Sequence, residues 1–129
     1  MNIRMLALAA CLCGSTPVLA QDVAALSGGW WGHVQLPGGM RVEVTMRAEG
    51  AKGTWTAMPL TGLREPNPCL SRPLPMELST VAPEVFKIEI QAAKAIQGCR
   101  DGQATVKLID GRVLEGKFAD GRPLKLERR

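Results

Sequence analysis

The 129-residue chain has no tyrosine and a single histidine, His33. The first absence removes a phenol as nucleophile or proton donor. The second removes every site built on two imidazoles, the usual two-histidine zinc centres among them. Aromatic residues are few altogether, three tryptophans and two phenylalanines. No CxxC pair is present, so nothing suggests a thiolate metal centre. No apolar run approaches the roughly 18 residues that a membrane-crossing helix needs. Lys and Arg number 16 against 12 Asp and Glu, but the two signs interleave along the chain, with Arg128 and Arg129 making only a small basic tail. Nucleic-acid readers need a basic stripe with stacking aromatics, so no nucleic-acid partner is expected.

What is present begins with an address. Met1 to Arg4 is a short basic start and Met5 to Leu12 is apolar. Gly14, Ser15 and Pro17 then break any helix, and Val18-Leu19-Ala20 ends on small residues. Residues 1–20 read as a secretory signal peptide cut after Ala20, leaving residues 21–129 as a single domain in the periplasm or outside the cell. Leu8-Ala9-Ala10-Cys11 also has the look of a lipobox, so a lipoprotein anchored through Cys11 is the minor alternative. Cleavage removes Cys11 and Cys13 and, of the charged residues, only Arg4, lowering the formal +4 by one. Cys69 and Cys99 remain, an even pair in an oxidising compartment, and a disulfide between them is expected. It closes a loop of about thirty residues, which the chain-entropy argument values at about 3–4 kcal/mol.

Beyond Ala20 the apolar residues recur at every second position. Met40, Val42, Val44 and Met46 alternate with Arg41, Glu43, Thr45 and Arg47. Phe86, Ile88 and Ile90 alternate with Lys87 and Glu89, Ala104, Val106 and Leu108 with Thr105 and Lys107, and Leu124 with Leu126 around Lys125. Leu114, Gly116 and Phe118 share a face. With Trp30–Leu36, Gly53–Met58 and Leu74–Thr80, eight half-buried strands are predicted. The helical candidate, residues 92–97, is short. Three-residue loops at Pro37–Gly39, Ile109–Gly111 and Ala119–Gly121 bring the apolar faces of three hairpins into agreement. The first pairs Val34 with Val42, the second Val106 with Leu114, and the third Leu114 with Leu126. The expected fold is all-β, a small antiparallel up-and-down β-barrel of seven or eight strands, with a β-sandwich as the alternative. Two long loops interrupt the hairpins, Pro59–Pro73 and Ala93–Gly102, and the disulfide would tie them together.

Leu26-Ser27-Gly28-Gly29-Trp30 followed by Gly50-Ala51-Lys52-Gly53-Thr54-Trp55-Thr56 resembles the opening of avidin-type proteins. Those belong to the calycin-like eight-stranded barrels, which bind small molecules in the barrel mouth. Small bacterial protease inhibitors of similar shape also start with a G-x-W strand. The resemblance spans residues 26–58 and implies that Trp30 plugs one barrel end while Trp55, with Thr54 and Thr56, lies near the pocket. It implies fold rather than biotin, because no tryptophan follows Trp55 and the tyrosine of that pocket is missing.

No catalytic constellation stands out. Asp110 and Asp120 belong to turns, and the strand glutamates alternate with Lys and Arg on outer faces. Met40, Met46, Met58 and Met76 lie near His33 in sequence, but core filling accounts for Met40 and Met46. No enzyme activity, metal or cofactor is expected. Two candidate surfaces remain. Trp31 and His33 should point outward together and, with Trp55, are the candidate ligand contacts. Arg64, Glu65, Asn67 and Arg72 lie in the proline-stiffened loop that Cys69 pins, and are the candidate partner contacts. The expected role is a binding protein that faces an envelope protein or polymer, in its specific form an inhibitor of an envelope or secreted hydrolase. The alternative is a calycin-like small-molecule carrier. The exported species is expected to begin at Gln21 and to offer no alkylatable thiol before reduction. Intact-mass spectrometry with and without reductant checks both. A mass beginning at Met1 contradicts the assignment, and an added acyl mass on Cys11 identifies the lipoprotein.

Overall fold

The computed structural model describes residues 23–60 and 67–129. The expected signal segment therefore lies outside the described residues. A 3-10 turn at Val23–Leu26 leads into eight strands: β1 (Gly28–Gln35), β2 (Arg41–Glu49), β3 (Lys52–Pro59), β4 (Leu74–Ala82), β5 (Val85–Ile90), β6 (Gly102–Ile109), β7 (Val113–Phe118) and β8 (Pro123–Arg128). Each pairs with the next in antiparallel fashion and β8 returns to β1, so the sheet is a closed up-and-down barrel. The helical candidate is a single turn, α1 (Ala92–Ala95). Among the described residues no helix is long and apolar enough to cross a membrane.

Period-two alternation is what closes this core. Val42, Val44, Met46 and Ala48 of β2 are buried, as are Phe86, Ile88 and Ile90 of β5 and Leu124 and Leu126 of β8. Among the described residues no polar or charged residue is buried. An eight-stranded barrel is just wide enough for such side chains to fill.

The two ends are closed differently. At one end the 3-10 turn buries Leu26, and Trp30, itself fully buried, donates its indole N–H to the Leu26 carbonyl at 2.8 Å. Trp30 is thus the plug that the G-x-W resemblance implies. The other end carries the β3–β4 and β5–β6 connections, joined by a Cys69–Cys99 disulfide with Cα atoms 5.8 Å apart. Leu70, Cys99 and Ala92 from these connections enter the core and stopper that end.

Three glycines on the inner face set the curvature. A methyl group at Gly116 would lie 1.8 Å from the Thr105 carbonyl oxygen, one at Gly53 2.0 Å from that of Arg47, and one at Gly32 2.2 Å from that of Lys125. Only a residue without Cβ lets neighbouring backbones approach so closely where a strand bends around a small barrel.

Two hairpins have the expected register, Val34 opposite Val42 and Leu114 opposite Leu126. The third does not. Leu108 pairs with Leu114, Val106 with Gly116 and Ala104 with Phe118, so the loop is Asp110–Arg112 rather than Ile109–Gly111. Asp110 and Gly111 both take positive φ, 51° and 67°, and the Arg112 N–H returns to the Ile109 carbonyl at 3.0 Å. The shift is an even number of residues, so every side chain keeps its face. Leu108 is half-buried rather than buried. Met40 was expected on the inner face, yet it is 39% exposed because it precedes β2 at the tip of the hairpin.

Replacing Gly116 by Ala forces the β6–β7 backbones apart. Overpacking of this kind typically costs about 1–3 kcal/mol. A urea midpoint lowered at unchanged slope is the expected result, and an unaltered midpoint contradicts the assignment of Gly116 as a corner.

Candidate functional site

At the disulfide end the loop candidates divide. Arg64 and Glu65 lie outside the described residues. The side-chain oxygen of Asn67 accepts from the Cys69 N–H at 2.9 Å, and its carbonyl accepts from the Leu70 N–H at 3.1 Å, so Asn67 builds the turn that delivers Cys69. Ser71 takes a positive φ of 64° and donates its N–H to the Ala57 carbonyl at 2.8 Å. That reversal follows buried Leu70 and precedes exposed Arg72. Asn67 and Arg72 therefore sit on one connection that is fixed to the barrel by a disulfide, a buried leucine and a backbone hydrogen bond.

The three candidate ligand contacts do not meet in one site. Trp55 faces the interior, 5% exposed, edge-on to Phe118 with ring centroids 6.2 Å apart. Thr54 and Thr56, its neighbours on β3, fall on the outer side of the strand. Trp31 and His33 lie together on the outer wall, their rings 5.7 Å apart and nearly perpendicular. They line a shallow crease of about 200 Å³ with Gly32 of β1 and Lys125 and Glu127 of β8.

This crease has a geometric origin. Two other surface depressions occur at Gly53, lined by Arg47, Glu49, Lys52 and Thr54, and at Gly116, lined by Gln103, Thr105 and Lys117 with their neighbours. Each coincides with a glycine corner, where the strand turns inward and the outer surface dips. Lys125 and Glu127 join Trp31 only through the β8–β1 closure, a contact between opposite ends of the chain. Sequence alternation marks them as outward but says nothing of what stands beside them.

Two arginines seal the barrel and were missed as structural residues. Arg128, read above as part of a basic tail, lies 4.3 Å over the Trp30 ring. It donates to the carbonyls of Ser27, Ala25 and Gly111 at 2.9, 2.9 and 3.0 Å. Arg122 lies 4.5 Å over Phe118 at the other end, donates to the Gln35 carbonyl, and pairs with Asp120 at 2.6 Å. Cation–π contacts are worth about 0.5–1 kcal/mol at exposed sites and more when water is excluded. The Asp120-Gly121-Arg122 triplet is the sequence signal for Arg122, since Asp120 two residues earlier holds it. Among the described residues no group of three or more His, Cys, Asp and Glu is placed to hold a metal ion.

No family model and no curated protein sequence matches the chain. Among solved structures, a redesigned β-barrel is similar over 83% of this chain and 94% of its own, at 15% identity and a TM-score of 0.47.

The guanidinium of Arg122 holds the Asp120 carboxyl below its ordinary value of 3.8. A depressed carboxylate keeps its partner above that value and loses it as pH falls through the lowered midpoint. Carbon-detected NMR of the Asp120 carboxyl is expected to show a midpoint below 3.8, with Arg122→Ala moving it back up. An Asp120 midpoint unaffected by that substitution contradicts the pairing.

Proposed function

We propose that this is an exported binding protein that works from its exterior, and that its target is an envelope or secreted hydrolase which it inhibits. One observation carries the reading: among the described residues the interior holds only apolar side chains and both ends are stoppered, by Leu26 with Trp30 and by Leu70, Cys99 and Ala92. Small-molecule sites combine an apolar cavity with a few well-placed polar groups. With no buried polar residue among the described ones, specificity has to come from outside. A calycin-like carrier is correspondingly disfavoured, although the barrel shape and the Trp30 plug agree with calycin-like ancestry.

The disulfide end is the better candidate for contacting the target. Its β3–β4 connection carries Arg72 exposed to solvent, and Cys69, Leu70 and Ser71 fix the backbone beside it. A loop held in one conformation loses less entropy on binding, which is what an inhibitor presenting a segment to a cleft requires. Export accords with the disulfide, since such bonds persist in oxidising compartments.

The test is a pull-down from envelope extract with wild type and a variant carrying Arg64→Ala, Glu65→Ala and Arg72→Ala. Retention of a hydrolase by wild type and its loss in the variant is the expected outcome, with the captured activity suppressed in the complex. Co-purification of a small molecule whose release changes Trp55 fluorescence, with no protein retained, reinstates the carrier.

A further inference from the structure

We propose that the wall crease at the β8–β1 seam binds a hexopyranose unit of a glycan chain, with Trp31 as its floor. This site is separate from the disulfide end and does not rest on the hydrolase reading.

Trp31 is out of place for an ordinary wall residue. The other four aromatics, Trp30, Trp55, Phe86 and Phe118, are all buried, and Trp31 is not among the residues that pack against the core. Tryptophan is enriched among the residues that carry most of the binding energy at recognition surfaces. The edge-on ring of His33, 5.7 Å away, supports Trp31 from within the same strand. Of the two other creases, that at Gly53 has no aromatic and that at Gly116 is lined by Phe118, which is buried, whereas Trp31 is half-buried and faces outward.

The rim chemistry selects the ligand. Lys125 donates and Glu127 accepts on the β8 side. On the β2 side Thr45 stands opposite Trp31 and Glu43 opposite His33. An aromatic floor ringed by both donors and acceptors matches a pyranose, whose C–H face is apolar and whose edge carries hydroxyls. The crease is too small for a helix. Strand addition by an extended peptide is disfavoured beside Trp31, where β1 and β8 are already paired, Trp30 with Arg128 and Trp31 with Glu127.

The experiment is a titration of the isotope-labelled full-length domain with chitotetraose and with cellotetraose, followed by amide and indole NMR signals. Saturable shifts confined to Trp31, His33, Thr45, Lys125 and Glu127 are expected from at least one sugar. Trp31→Leu keeps apolar cover on the wall but removes the ring. It is expected to retain the wild-type spectrum while weakening binding at least about tenfold. Trp31→Ala serves the same comparison if it stays folded. The Arg64, Glu65 and Arg72 triple variant is expected to bind sugar like wild type, which separates this site from the loop. The proposal is overturned if neither sugar gives a saturable shift, if the shifts centre on another surface, or if Trp31→Leu binds undiminished.

Discussion

Closure of β8 onto β1 is the constraint on which the rest of the molecule depends. An open eight-stranded sheet of this length would expose two edges and one apolar face. Closing it brings the two edges together, Trp30 opposite Arg128 and Trp31 opposite Glu127, and turns that face into a core. Closure in so small a circle requires sharp corners, and the sequence provides them with Gly32, Gly53 and Gly116, at each of which the place of a Cβ is taken by a neighbouring carbonyl oxygen. The corners in turn shape the exterior, because each leaves a crease in the wall. Core curvature and surface relief are therefore two sides of the same three residues.

The seam is also reinforced by charge. Arg122 precedes β8 and Arg128 ends it, and each spreads its guanidinium over the aromatic at its own end, Phe118 or Trp30. Both also reach carbonyls in or before β1: Gln35 for Arg122, Ser27 and Ala25 for Arg128. A lysine could supply the charge at either position but not the planar fork that stacks and donates in several directions. The strand that closes the barrel thus brings its own seals for both ends.

The fold was legible because it rests on a local, repetitive signal. Alternation located β2, β5, β6, β7 and β8, with β1, β3 and β4 added beside them, and hairpin pairing fixed two registers correctly through agreement of apolar faces. The Asp110 hairpin escaped because face agreement cannot separate registers that differ by an even step. The backbone choice there was made by positive φ at both Asp110 and Gly111. Met40 escaped because alternation does not reveal where a strand gives way to a turn. The Cys69–Cys99 bond was readable because, once residues 1–20 are set aside, these are the two cysteines that remain. What could not be read was any contact created by closure: Arg128 on Trp30, or Lys125 and Glu127 beside Trp31. These join residues about a hundred positions apart, and nothing in a local pattern encodes that meeting. For the loop candidates, Asn67 was legible as a polar loop residue, but its use in building a turn shows only in the hydrogen bonds to Cys69 and Leu70.

The arrangement of the strands also determines how the domain would respond to mechanical load. Val23 and Arg129 flank the same end of the barrel, with the Arg129 N–H bonded to the Gly29 carbonyl at 2.9 Å. A force applied between those two points would draw β1 and β8 apart like a zipper, one hydrogen bond at a time, instead of shearing the whole seam together. Once open, the chain could not extend fully. The disulfide spans 30 residues of sequence, and that covalent loop would carry no tension. At about 3.4 Å per residue, roughly 100 Å of contour would stay hidden until the bond was reduced.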